Sequence, residues 1–559
     1  MDQPQTVNYN KWLYLFIGVA VVINFSGICT TIMGPDATLY ASIAKTMVQR
    51  NNYVELFAFG TDWLDKPHFP FWITAFSFKL LGISTWAYKL PAICFLLMGV
   101  WYTYLFAKAL YNEHVALWSV LILLTAQHII LSNNDVRAEP YLTGLVIASV
   151  HHFYKSYTPI TNWWHLLAGC IFTACAIMTK GMFSLIPIGG AVVGHFIITK
   201  QWSQLFNWRW LIAAILILLF ILPEIYCLYQ QFDLHPEKVV FGDKGVSGIK
   251  FFFWDSQFGR FFNTGPIKGH GDPSFFIHTT LWAFLPWSLL LFAGIYQFFK
   301  KGIKNIHTTE WYCICGSLLT FLLFSASKFQ LPHYLNIVFP FFAIITAWYL
   351  SQIKNIKTIR IVQAVVMVLM MGAISALHYF FDPDTFSHLS IFLMFVFFFA
   401  LLFLSQRITS NPLHRLIFQT LLTSFIVNVY LNQVFYPNLA HYQSGSEAAI
   451  WLNHHNPKKI PLTQIDDHYA TAMEFYSDEP VINLNPNGTG KIPGKPFVLY
   501  ASSENIASLK KQGWNIKPIK TFQRYWVSRL KPAFLNHATR KQELGTTELV
   551  LVAPPNPPE

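Results

Sequence analysis

The sequence predicts a multi-pass α-helical membrane protein with a small C-terminal α/β soluble unit, and three observations carry that prediction. Of the 559 residues, 54% are apolar or aromatic and only 12% are charged, about half the quarter usual in a soluble domain. Phe supplies 52 residues and Trp another 19, more apolar surface than a soluble fold of this length can hide. Runs of the ~20 mostly apolar residues needed to cross a bilayer recur up to residue 435 and then stop. An ordinary cytosolic enzyme is excluded. The net charge of +12 forms no basic face on a folded soluble unit, so nucleic acid is not an expected partner.

The spans fall at 11–31, 87–107, 115–132, 139–155, 163–179, 182–199, 208–227, 276–298, 311–326, 334–350, 361–380, 388–405 and 416–434, about thirteen in all. The first is too long for a signal-peptide core and no Ala-x-Ala site follows it, so it is read as retained. Two long loops, 32–86 and 228–275, and a tail after residue 435 interrupt the pattern. The expected domains are 1–435 in the membrane and 436–559 outside it. In the tail, 444–452 and 504–511 read as helices and 495–500, 522–528 and 548–553 as strands. The Pro-rich end is expected to fray. All seven cysteines lie in apolar segments, so no disulfide framework is expected.

Loop charge sets the orientation. Counts of Lys and Arg tie between the two sides, but Lys108, Lys155, Lys200, Lys300 and Lys301 sit in short loops close to spans, where the positive-inside rule applies. The N-terminus is therefore expected in the cytoplasm. Both long loops and the tail then meet on the outer face, out of reach of cytosolic nucleotides but open to a lipid-linked substrate.

Ionisable groups at a membrane edge are costly, which makes them candidates for function. Six clusters occur on the expected outer face. Pro35-Asp36 opens a helix running to about Arg50, with Asp36 and Tyr40 on one face; Asp36 is either a helix-start acid or a base in a cavity. Asp65-Lys66-Pro67-His68 precedes Phe71-Trp72, and Lys66 is a compact partner for phosphate. Asp65 and His68 alone do not make a metal site. Asp135-Val136-Arg137-Ala138-Glu139 brackets a short turn. Lys180-Gly181 breaks two apolar runs, where a lone Lys can snorkel. Arg260-Phe261 and Gly269-His270-Gly271 shape the second long loop. Lys328 to Tyr334 forms the sixth. Asp382-Pro383-Asp384 imitates a metal-binding Asp-x-Asp, but it stands in a short loop and reads as a turn.

In this order the clusters resemble the C-type (GT-C) membrane glycosyltransferases, particularly the aminoarabinose transferase and protein O-mannosyltransferase group. The first-loop pattern appears as Asp36, Tyr40, Ala44 and Met47, with Ala37 where that family often has a second acid. The acid-Lys-Pro-Pro motif appears as Asp65-Lys66-Pro67-His68, with His68 replacing the second Pro. The second-loop acid matches Asp135 or Glu139. Lys180-Gly181, Arg260-Phe261 with His270, and Lys328 with Tyr334 follow in register. The resemblance implies the GT-C fold, a donor sugar on a polyprenyl phosphate, and inverting transfer to a lipid A, protein or glycan acceptor at the periplasmic face of a bacterial inner membrane. It implies Asp36, Asp135 and Glu139 as catalytic acids, and Tyr40, Lys66, Lys180, Arg260, Lys328 and Tyr334 as substrate contacts. It also implies a divalent metal, zinc in the nearest relatives, on Asp65 and His270, and no nucleotide. A transporter of a lipid-linked sugar is the competing reading; it calls for repeats, and the sequence shows none.

Overall fold

The computed structural model describes residues 3–158, 162–307, 309–465, 470–484 and 492–553. The first helices are α1 (Gln3–Phe25), α2 (Pro35–Arg50), α3 (Phe69–Leu81), α4 (Thr85–Leu110), α5 (Glu113–Thr125), α6 (Gln127–Ser132), α7 (Glu139–Lys155) and α8 (Trp163–Lys180). Each apolar segment read as a span lies largely on helix. Five described helices are long and apolar enough to cross a membrane: α4, Trp202–Asp233, Pro332–Ser351, Lys357–Phe381 and His388–Ile408. His388–Ile408 exposes Phe392, Phe397, Phe399, Phe403 and Leu404, a face suited to lipid rather than water.

The segment 276–298 is not one rod, as the sequence pattern implies, but two helices, Phe275–Ala283 and Ser288–Asn305, that meet at 118°. Pro286 has no N–H to donate, and its ring obstructs a continuing helix. Carbonyls freed at the break are satisfied from elsewhere: Gln127 N–H donates to Leu285 O at 3.0 Å and Gln363 Nε2 to Pro286 O at 3.3 Å. The span at 115–132 is likewise divided, at Ala126 between α5 and α6.

Close helix contact positions the start of α7. A Cβ on Gly99 of α4 would stand 2.9 Å from Gly144 Cα of α7, and one on Gly144 would strike the Phe95 carbonyl. Small residues let the two backbones touch, which fixes Glu139 at the start of α7. Gly144→Leu is expected to wedge the helices apart at a cost of about 1–3 kcal/mol, read as a lower melting temperature in detergent.

The C-terminal region carries a five-stranded sheet, ordered Val481–Leu484, Leu462–Ile465, Phe497–Ser502, Gly545–Ala553, Asn515–Arg524. The first three strands are parallel and the last two join antiparallel. The expected helices are present as Ser444–His455 and Ser503–Lys511. Two further strands, Leu462–Ile465 and Val481–Leu484, have only four residues each, too short to carry a clear strand pattern. The strand expected at 522–528 lies instead at Asn515–Arg524. It is an edge strand rich in Lys with a register shift near Pro518, so it lacks the alternation of a buried strand. The end expected to fray, 554–559, lies outside the described residues.

This region is docked on α2. The Lys45 ammonium donates to the carbonyls of Glu474, Phe475 and Ser477 at 2.5–3.0 Å, closing the C-terminal end of helix Ala470–Tyr476. Thr38 Oγ1 is 2.6 Å from Thr471 Oγ1, and Ser42 Oγ donates to Thr471 O. Gln443 accepts from Gly34 N–H and donates to Ile32 O. Burial pushes the Lys45 ammonium down to about 8, against the pull of Glu474 and Asp478, so it stays largely charged at neutral pH. Lys45→Met strands three carbonyls. Loss of these charged hydrogen bonds is expected to cost about 1.5–3 kcal/mol, read as at least tenfold faster proteolysis of the C-terminal region in membranes.

Candidate active site

The site begins where the chain enters α2. Gly34 adopts φ 84°, a left-handed turn that suits glycine, and Pro35 opens the helix. Asp36 and Tyr40 then lie one turn apart on the same wall of a cavity. The Asp36 carboxylate accepts from Arg137 Nη1 at 2.6 Å and stays 48% exposed. The same guanidinium grips Asp135, through Nε at 3.1 and 3.2 Å and Nη2 at 2.9 Å. One cation thus serves two acids. Burial lifts the Asp135 carboxyl above its ordinary value, and Arg137 offsets only part of that.

A second group forms around Asp65. Its carboxylate accepts from Lys66 Nζ at 2.6 Å and from Arg260 Nη2. Burial would raise the carboxyl, but the two cations outweigh it and hold Asp65 below its ordinary value. Burial, reinforced by Arg260, depresses the Lys66 ammonium despite Asp65. Here two cations share one acid.

The third group is Glu139 with Lys180. Glu139 stands at the N-terminus of α7, only 2% exposed, and pairs with Lys180 at the C-terminus of α8; each charge suits the dipole end it occupies. His333 Nε2 lies 3.7 Å from the same carboxylate. The Lys180 ammonium sits 3.7 Å from the Tyr334 ring centre, a cation–π contact.

All three groups meet in one cavity of about 150 Å³ lined by Asp36, Tyr40, Asp65, Lys66, Arg137, Glu139, Lys180, Arg260, His333 and Tyr334 with apolar neighbours. A second, apolar cavity of about 70 Å³ adjoins it, lined by Leu64, Leu142, Leu228, Phe251, Phe252 and Phe324 among others. The two share Asp65, Lys66, Lys180, Arg260, Phe329 and Tyr334 as a common wall. A cationic partition therefore stands between a greasy chamber and a polar one.

The structure gathers most of the residues the sequence singled out, and separates some. Asp135 reaches the cavity only through Arg137. Lys328 and His270 are exposed and line neither cavity. Arg137 and His333, which lie inside two of the six clusters, join the cavity wall as well. Glu224 also lines the apolar cavity. It takes the His68 backbone N–H at 2.9 Å and the His68 ring at 3.0 Å, and both side chains are fully buried. An acid inside an apolar run was the available signal for it. The pairing also explains His68: a Pro there would have neither the N–H nor the ring.

The residues do not fit a divalent metal on Asp65 and His270. Asp65 already carries two cations, His270 faces outward, and no group of three or more His, Cys, Asp or Glu suited to a metal occurs among the described residues.

Residues 65–227 match the family model described as dolichyl-phosphate-mannose-protein mannosyltransferase. An uncharacterized protein of Aquifex aeolicus is 22% identical over 93% of this chain and 94% of its own length. Undecaprenyl phosphate-alpha-4-amino-4-deoxy-L-arabinose arabinosyl transferase 1 of Pseudomonas fluorescens is 24% identical over 54% of this chain and 51% of its own length. The match thus spans about half the length of that transferase. The crystal structure of ArnT from Cupriavidus metallidurans bound to undecaprenyl phosphate superposes with a TM-score of 0.73 at 18% identity, covering 98% of this chain and 99% of that one. The fold is that of ArnT over 98% of the chain, and the family match runs from the Asp65-Lys66 motif through the helices that follow it. The chain thus shares the fold of ArnT over nearly its whole length, and its residues 65–227 resemble the mannosyltransferase family model.

Proposed function

We propose that the chain transfers a sugar from a polyprenyl-phosphate donor to a lipid A, protein or glycan acceptor, with inversion, at the periplasmic face of a bacterial inner membrane. The observation that carries this reading is the shared wall. A polyprenyl-phosphate sugar has an apolar tail, an anionic phosphate and a polar sugar, in that order. The apolar cavity, the cations Lys66, Lys180 and Arg260, and the polar cavity follow the same order. On this reading residues 1–435 cross the membrane about thirteen times from a cytoplasmic N-terminus, and 436–559 lie outside.

The chemistry follows from the placement. The leaving group is a lipid phosphate, so negative charge grows on it as the glycosidic bond breaks. Lys66 and Arg260 are preorganised for that charge, which is where electrostatic catalysis is most effective. Asp36, across the polar cavity, is the base for the acceptor. Asp135 holds Arg137 and so holds Asp36; Glu139 holds Lys180 against Tyr334. Asp65 is clamped by two cations and Glu139 is buried against Lys180, whereas Asp36 stays half exposed; with one free base on the acceptor side, the transfer is a single displacement, hence inversion.

The test compares total lipids by mass spectrometry from cells with the chain and without it. A polyprenyl-phosphate sugar is expected to accumulate without the chain while one glycosylated product disappears. Identical profiles would overturn the reading. If undecaprenyl-phosphate sugar instead crosses vesicles bearing the chain and no glycosylated product forms, the transporter reading takes its place.

A further inference from the structure

The charge along the cavity wall selects the acceptor, an inference that rests on the transferase reading above. The charges fall into three groups. Lys66 and Arg260 share Asp65, which leaves one positive charge at the donor end. Lys180 and Glu139 cancel in the middle, where His333 also stands on the Glu139 carboxylate. Arg137 is divided between Asp36 and Asp135, which leaves one negative charge at the far end.

The surplus cation matches one anionic group, the donor's phosphodiester. A phosphate acceptor would bring a second anion to the end that already carries excess negative charge. Arg137 is already shared between two carboxylates, Nη1 on Asp36 and Nε and Nη2 on Asp135, so its charge is more than neutralised before any acceptor arrives. The remaining lining there, Leu39, Tyr40, Ala138, Ile267 and Leu331, adds no cation. Like charges in a partly buried site repel more strongly than in bulk water. A neutral acceptor meets no such penalty and needs the base that Asp36 supplies.

We propose that the acceptor group is a neutral alcohol hydroxyl, not a phosphate. The hydroxyl proton passes to the Asp36 carboxylate as its oxygen bonds to the anomeric carbon. The anomeric carbon–oxygen bond to phosphate breaks, and its electron pair leaves with the polyprenyl phosphate. Asp36 then returns the proton to water.

The linkage in the product decides the matter. A glycosyl phosphate is cleaved by mild acid, whereas an O-glycoside survives it. Lipid, glycan and protein fractions from cells with the chain, with Asp36→Asn and with none are analysed by mass spectrometry before and after mild acid, and by phosphorus NMR. The expected result is a chain-dependent sugar that survives mild acid and adds no phosphodiester resonance; the fraction holding it identifies the source of the hydroxyl. A chain-dependent sugar lost in mild acid together with a phosphodiester resonance overturns this proposal and leaves the transferase reading standing. No chain-dependent product, with no donor accumulating, overturns both.

Discussion

Asp36→Asn is expected to lower sugar transfer by about 10²–10⁴-fold, the range that a positioned general base contributes, without loss of protein from the membrane. The substitution keeps the shape of the side chain and removes its charge. It should not disturb the fold, because Asp36 is half exposed and Arg137 keeps its bonds to Asp135; a solvent-screened ion pair of this kind is worth about 1 kcal/mol or less. The same change at Glu139 would be a poor test. Glu139 is buried against Lys180, and breaking a buried pair costs about 3–5 kcal/mol, so lost activity there would confound chemistry with folding. The measurement is turnover of undecaprenyl-phosphate sugar by purified protein in lipid, with the melting temperature as control. A kcat loss at unchanged donor KM marks a base. Unchanged turnover would make Asp36 only an acid favoured by the start of α2.

The membrane character was legible because it is written locally, in runs of apolar residues. The break in 276–298 was not, although Pro286 was visible: a proline inside a span is tolerated or not according to which neighbours satisfy its freed carbonyls, and Gln127 and Gln363 come from distant helices. The site shows the same division. Each motif held an actor, but the pairings cross the chain: Arg137 to Asp36 over 101 residues and Arg260 to Asp65 over 195. No local reading yields them. The Gly269-His270-Gly271 motif drew attention to its histidine. In the fold its glycines matter more, since a Cβ on Gly269 would lie 2.9 Å from Lys328 O and one on Gly271 2.9 Å from Lys328 Cα. They let the second long loop lie against the turn at Ser327 to Phe329, while His270 and Lys328 point away. What the sequence marked there as chemistry is close backbone packing beside the site.

The second large effect concerns the donor end. Lys66→Ala and Arg260→Ala are each expected to reduce kcat by about 10²–10³-fold, the loss typical when one preorganised stabiliser of developing charge is removed. The arrangement around Asp65 makes each single variant interpretable. With either cation gone the other still neutralises the part-buried carboxylate, so the protein should reach the membrane at normal levels. With both gone Asp65 is a part-buried charge stripped of both its ion pairs, and the double variant should accumulate less than either single one. Arg260→Lys keeps the charge but loses the planar fork, so it should recover only part of the rate. Asp65→Asn runs the other way. It frees both cations for the lipid phosphate, so undecaprenyl phosphate should bind more tightly and inhibit more strongly as product. Titration of the purified protein with undecaprenyl phosphate measures this directly. Weaker binding in Asp65→Asn would mean that the carboxylate's role is to aim Lys66 and Arg260 rather than to hold their charge in check, and the electrostatic account of the donor end would have to give way to a geometric one.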